Sequence, residues 1–167
     1  LLLANYNSKA RVNINQGGTS SGKTYAILEV IILRLIQKKR LASVIGQDIP
    51  NLKRGALRDL IERVIPDNPW ILKYVKRYNI GERIFYFKNG SILEFISFDD
   101  EQDAKNGKRD IAFFNEANGI EYGIYNQVAM RTSEYVYIDY NPTARFWVHD
   151  KLIGGKNTVV FYSNYTH

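Results

Sequence analysis

The chain has 167 residues, enough for one domain with its own core. It is 45% hydrophobic and 24% charged and has no cysteine, which fits a globular protein, excludes disulfides and thiolate metal sites, and leaves the redox compartment open. A formal net charge of +6 favours polyanionic partners, nucleic acid first, with bare solubility as the alternative.

Leu1-Leu2-Leu3 leads into no apolar core or cleavage site, so it does not read as a signal peptide. The first residue is not methionine, which points to a piece of a longer chain. Arg11 to Gln16 alternates in polarity and predicts a strand. Gly17-Gly18-Thr19-Ser20-Ser21-Gly22-Lys23-Thr24 then meets every fixed position of G-x-x-x-x-G-K-[ST]. Strand, glycine-rich turn and helix are the context this motif requires. The glycines let backbone N–H groups curl around a β-phosphate, and the helix N-terminus adds partial positive charge. Lys23 is expected on the β- and γ-phosphates, and the Thr24 hydroxyl on Mg²⁺. Asn5, Tyr6 and Gln16 lie upstream of the loop, on the side where adenine contacts arise, and Gln16 joins the candidate nucleotide-binding residues.

From about Lys23 to Lys38 the chain is apolar around most of a helix, which predicts a buried one. Its longest apolar run, Ala26 to Ile36, is broken by Glu29 and Arg34 and is too short to cross a bilayer. Ser43-Val44-Ile45 is a short strand. Leu57, Leu60, Ile61 and Val64 share one helix face, and Pro66 is expected to stop that helix. Arg54, Arg58 and Arg63 flank it, by default as a solvated face, with DNA contact as the alternative. Ile84–Phe87 and Ser91–Ile96 flank Asn89-Gly90, the signal for a hairpin with a two-residue turn.

Asp99 to Lys108 is polar, and Ile111–Phe114 is a buried-strand run that ends in Asn115-Glu116-Ala117. Polar residues at that strand end would face the ligand edge of an open α/β sheet. Glu116 is the candidate water-activating carboxylate. Asn115 stands where such strands carry Asp; an amide cannot neutralise a metal, but it can accept a hydrogen bond from a Mg²⁺-bound water. Tyr135–Tyr140 is a further strand, running into Asn141-Pro142, where Asn141 would face the γ-phosphate; the alternative is a simple Asn-Pro turn. Thr158–Tyr162 is the last strand. Trp70, Trp147 and most tyrosines read as core or interface, and His149 and His167 have no metal-site spacing. Strands alternating with helices predict an α/β fold with a mostly parallel central sheet, helices on both faces and an added β-hairpin.

In combination, these motifs resemble the ATPase domain of the large terminase subunit of tailed bacteriophages, the motor that packs DNA into capsids. The ordered set is the loop Gly17–Thr24, the hairpin signature Asn89-Gly90-Ser91 with Ile92 and Phe95, the stretch Asp99–Gly107, the strand Ile111–Ala117, and Asn141-Pro142 followed by Trp147-Val148-His149. The resemblance covers nearly the whole chain as a single domain, residues 1–167. It implies a P-loop NTPase with a strand added between the loop strand and the hydrolysis strand, and ATP and Mg²⁺ as cofactors. It implies double-stranded DNA, the portal protein and the small terminase subunit as partners, and self-association into a pentameric ring on the procapsid. It further implies no membrane partner, and the host bacterial cytoplasm as the setting. Glu116, Lys23 and Asn141 would be catalytic, and Thr24, Asn115 (through water) and Glu116 would serve the metal. Lys105 is the first candidate for the basic residue that completes a neighbour's site, and Arg109 the second. The family's C-terminal nuclease has no counterpart in the residues given. A helicase-like DNA-dependent ATPase, a small-molecule kinase and a nucleotide-switch binding module share the loop and are the rival readings.

Overall fold

The computed structural model describes residues 1–19 and 22–163. Ser20 and Ser21, named above as phosphate-loop residues, lie outside the described residues, as does His167. After a short helix α1 (Leu2–Asn7), strand β1 (Val12–Gly17) runs into the loop, and α2 (Lys23–Gln37) leaves it. Then come β2 (Leu41–Ile45), α3 (Ile49–Arg54), α4 (Ala56–Asp59), α5 (Ile65–Asp67), β3 (Val75–Asn79), β4 (Ile84–Phe87) and β5 (Ile92–Ile96). The chain closes with β6 (Arg109–Phe114), α6 (Tyr122–Met130), β7 (Thr132–Tyr140) and β8 (Thr158–Ser163).

Among the described residues, eight strands form one sheet in the order β3-β4-β5-β2-β6-β7-β1-β8. β3 pairs with β4, and β4 with β5, antiparallel; the other five pairings are parallel. β7 lies between the loop strand β1 and the strand β6, which is the added strand that the family resemblance implies. Both faces are covered. Ile27, Ile31 and Leu35 of α2 pack with Leu57, Leu60 and Val64 onto Val44, Phe113 and Tyr137. On the other face, Ile124 and Val128 of α6 pack with Val148 onto Ala112, Phe114, Val136 and Ile138.

The period-two alternation of strands decides which side chains reach the loop. Tyr137 belongs to the α2 face, and Val136, Ile138 and Tyr140 to the opposite one. Asp139 is therefore on the α2 face, level with the first turn of α2. By the same count Phe113 faces α2, Phe114 faces away, and Asn115 faces α2 again.

Two local expectations differ from the structure. The helical stretch through Leu57–Val64 does not stop at Pro66. A wide turn over Leu60–Val64, in which the Ile65 N–H reaches the Leu60 carbonyl, carries the chain into α5, and the end comes at Asn68. Proline has no N–H to lose at the start of a new turn, so it is tolerated there. The hairpin loop has three residues. The Gly90 N–H donates to the Phe87 carbonyl at 3.0 Å and the Phe87 N–H to the Ser91 carbonyl at 2.9 Å, with Gly90 at φ 92. That is a type I turn closed by a left-handed residue, not a primed two-residue turn.

The Asn89-Gly90-Ser91 signature has a second use. Asn89 Nδ2 donates to the Leu35 carbonyl at 2.8 Å, and Ser91 Oγ donates to the same carbonyl at 2.7 Å. Ser91 Oγ also accepts the Arg40 N–H at 3.0 Å. The hairpin thus satisfies the open carbonyls at the end of α2, which α2's own backbone cannot do. Ser91 is fully buried. Ser91→Ala would take the acceptor from the Arg40 N–H and leave the Leu35 carbonyl with Asn89 as its side-chain donor, so it is expected to cost about 1 kcal/mol in denaturant unfolding. A stability equal to that of the parent would show that the contact is idle.

Candidate functional site

The strands β6, β7 and β1 end side by side. In register, Gln16 pairs with Tyr140 and Asn15 with Asp139, while Phe114 pairs with Ile138. Asn115, one residue past that last pair, therefore stands beside Asp139. Gly22 precedes α2 at φ 81, a left-handed conformation that side chains disfavour.

Lys23 is 8% exposed. Its ammonium donates to the Gly18 carbonyl at 3.0 Å and to Asn141 Oδ1 at 2.9 Å. Burial lowers its pKa, against the opposing pull of Asp139 and Glu116. Asn141 also donates through Nδ2 to Thr19 Oγ1 at 3.3 Å. The residue after β7 and the loop after β1 are thus tied together through the lysine.

Asp139 is the buried charge of the site, 1% exposed. Its Oδ2 accepts the Thr24 hydroxyl at 2.5 Å, and its Oδ1 accepts the Glu116 backbone N–H at 2.6 Å. The Asn115 amide nitrogen donates to both carboxylate oxygens at 3.1 Å. Burial pushes the Asp139 pKa up to about 6, against the Thr24 hydroxyl, the Glu116 N–H, Lys23 and Asn115, which all favour the charged form. Asp139 escapes a reading of the sequence because the residues on either side of it are apolar strand residues. The available signal was a carboxylate inside a buried strand, two positions before Asn141.

Glu116 is exposed at the mouth of the cleft with φ 52 and ψ 57. A non-glycine residue in the left-handed region is uncommon, and here the hydrogen bond from its N–H to Asp139 holds it. The cleft is lined by Thr19, Lys23, Thr24, Asn115, Glu116, Asp139 and Asn141, and across from them by Arg54, Arg58 and Arg63. The three arginines, whose default reading was a solvated face, form one wall of it.

Other candidates fall elsewhere. Gln16 is not among the residues that line the cleft; its side-chain oxygen accepts the Tyr140 hydroxyl at 2.7 Å. Asn5 is fully buried and exchanges hydrogen bonds with Asn15 at 2.7 and 2.9 Å. The Tyr6 ring packs under the Arg34 guanidinium. Lys105 is exposed on a short turn, Asp103–Lys105. Arg109 is 5% exposed, sits at the start of β6, away from this cleft, and donates to Ser43 Oγ at 2.9 Å. Trp147 is a packing residue, as expected, stacked on Tyr125 with its N–H on the Ile120 carbonyl at 2.7 Å.

A buried lysine and a partly buried threonine at a helix N-terminus, facing a carboxylate and an amide from two neighbouring strands, are an arrangement for polyphosphate and a divalent cation. Residues 9–156 match the family model described as phage terminase large subunit. No curated protein sequence matches the chain. Among solved structures, it superposes on the large terminase of a thermophilic bacteriophage in complex with ADP with a TM-score of 0.74 at 17% identity, over 92% of this chain and 40% of that one. The ATPase domain of the Thermus phage P74-26 large terminase matches with a TM-score of 0.74 at 14% identity, over 96% of this chain and 78% of that one. The N-terminal domain of the DNA packaging ATPase from bacteriophage phi29 matches with a TM-score of 0.59 at 17% identity, over 98% and 91%. The chain thus spans 40% of the length of the ADP-bound terminase.

Proposed function

Because this chain belongs to the phage terminase large subunit family, we propose that it binds and hydrolyses ATP as the motor domain of a DNA-packaging machine. The observation that carries this reading is the convergence of Lys23, Thr24, Asp139, Asn141 and Glu116 on one cleft at the C-terminal edge of the sheet. A phosphate loop alone would say only that nucleotide binds; a carboxylate at the cleft mouth adds the means to activate water.

The loop backbone and Lys23 take the β- and γ-phosphates. On phosphate entry, Lys23 exchanges its bonds to Gly18 and Asn141 for phosphate oxygens, and the released Asn141 amide is free to turn to the γ-phosphate. Binding is thereby reported to the chain after β7, the segment that would transmit hydrolysis to movement. Glu116 orients the attacking water and accepts its proton. Thr24 presents a hard oxygen of the kind that suits Mg²⁺. Bound there, Mg²⁺ would neutralise charge on the β- and γ-phosphates.

We assign Lys105 to a neighbouring subunit's cleft in a pentameric ring, on the portal and with the small terminase subunit, in the host cytoplasm. Double-stranded DNA is the substrate that is moved. Among the described residues, no helix is long and apolar enough to cross a membrane.

Phosphate release from Mg·ATP, by the chain alone and by the assembled ring, with and without double-stranded DNA, tests this reading. Hydrolysis that rises with ring and DNA, and whose ring-dependent gain Lys105→Ala removes, is the expected result. Transfer of the γ-phosphate to a metabolite, or hydrolysis indifferent to DNA in the ring, would contradict it.

A further inference from the structure

The strand that carries Glu116 ends in an amide at 115, where the metal-facing position of a P-loop site calls for a carboxylate. The charge is not missing from the site; it stands one strand over. Asp139 on β7 receives the Thr24 hydroxyl proton at 2.5 Å, and it is almost wholly buried beneath the loop. We propose that Asp139 supplies the carboxylate function of the Mg²⁺ site in place of residue 115, and that the identities of residues 115 and 139 are coupled. The inference rests on the nucleotide reading above.

Three observations on the structure carry it. First, the Thr24 hydroxyl donates to Asp139, so the carboxylate stands directly behind the hydroxyl expected on the cation, and Thr24 Oγ1 also accepts the Asn115 amide at 3.4 Å. Second, Asn115 donates its amide nitrogen to both Asp139 oxygens, so it acts on the carboxylate and not as a stand-in for it. Third, an aspartate at 115 would put two carboxylates in direct contact in a buried setting, which repels strongly. The amide at 115 is therefore what allows a charge at 139. Glu116 does not fill the role: it is exposed, and its own backbone N–H is bound by Asp139. Of the other charges facing the cleft, Lys23 is a cation, the three arginines are cations, and Asp59 lies on the opposite wall.

Asp139 acts through Thr24 and is a positioning residue, so its test reads metal dependence and not only turnover. ADP affinity is measured by calorimetry in Mg²⁺ and in EDTA, and Mn²⁺ affinity by electron paramagnetic resonance at saturating ADP. The proteins are the parent, Asp139→Asn, Asn115→Asp, and the exchange Asn115→Asp with Asp139→Asn. Asp139→Asn is expected to keep its EDTA affinity while losing about tenfold or more in Mn²⁺ affinity, the size of loss typical when a ligand's supporting partner is removed. The exchange variant is expected to regain most of that loss. Mn²⁺ affinity in Asp139→Asn within about twofold of the parent, a difference of less than about half a kcal/mol, would overturn the proposal. So would an exchange variant that binds ADP in EDTA but recovers no metal affinity. Should Asp139→Asn bind no ADP even in EDTA, the exchange variant decides: recovered metal affinity supports the coupling, and none refutes it. A parent that binds no ADP in either buffer would bring down the nucleotide reading and this inference with it, which is distinct from a loss confined to the metal-dependent part.

Discussion

Glu116→Gln is expected to slow ATP hydrolysis by about two to four orders of magnitude while leaving nucleotide affinity close to that of the parent, the loss typical for removal of a general base. The geometry explains why the two readouts separate. Glu116 follows β6 in a left-handed conformation and reaches the cleft mouth, and its backbone, not its side chain, is bound to Asp139. Glutamine keeps the length and shape of the side chain and leaves that backbone bond in place. What it removes is the negative charge and basicity with which the carboxylate takes a proton from water. Single-turnover phosphate release beside equilibrium ATP binding measures the two separately. Equal turnover would move the catalytic role away from Glu116; a matching loss of binding would mean that the side chain holds nucleotide instead of water.

Lys23→Ala is expected to lower ATP affinity by on the order of a hundredfold or more, since hydrogen bonds from a charged donor contribute about 1.5–3 kcal/mol each. Lys23 is 8% exposed, and its ammonium already sits among oxygen acceptors at 2.9 and 3.0 Å. It is therefore held in place before phosphate arrives, and little ordering cost is left to offset the contact. Its loss also removes a cation near the buried Asp139. The variant's unfolding transition, recorded beside ATP calorimetry, separates a local loss of phosphate contact from a loosened site. Undiminished ATP affinity in a folded Lys23→Ala protein would refute the loop assignment.

Much of the fold could be read from the sequence because its signals are local. The loop is defined by fixed residue types at fixed spacing. The strands β1, β2, β6, β7 and β8 are short apolar or alternating runs, and α2 is apolar on most of its surface. What escaped is what depends on neighbours. β3, Val75–Asn79, carries Lys76 and Arg77 on the sheet's edge, with an exposed middle, so its pattern is that of a loop until β4 pairs with it. α6 follows a polar turn and mixes Tyr, Gly, Asn and Gln with its apolar residues, and the packing of Ile124 and Val128 on the sheet makes it a helix. Arg109 begins a strand and reads as exposed, yet it is buried against Ser43 in the partner strand.

The site divides in the same way. Lys23, Thr24, Glu116 and Asn141 were each marked by motif, and all four line the cleft. Asp139 was not, because its importance comes from sheet order. Only when β7 lies between β1 and β6 does residue 139 stand next to both Thr24 and Asn115. The Asn at 115, a departure when β6 is read alone, makes physical sense beside that carboxylate.

A nucleotide site built on this loop is tested most directly by a structure of the chain with a non-hydrolysable ATP analogue and Mn²⁺, in which anomalous scattering locates the metal. The expected result is the β-phosphate cradled by residues 17–24, the γ-phosphate between Lys23 and Asn141, and the metal within about 2.2 Å of Thr24 Oγ1, on the side held by Asp139. An analogue bound away from the loop would contradict the nucleotide site, and a metal placed on Asn115 or Glu116, without Thr24 or Asp139 beside it, would contradict its architecture.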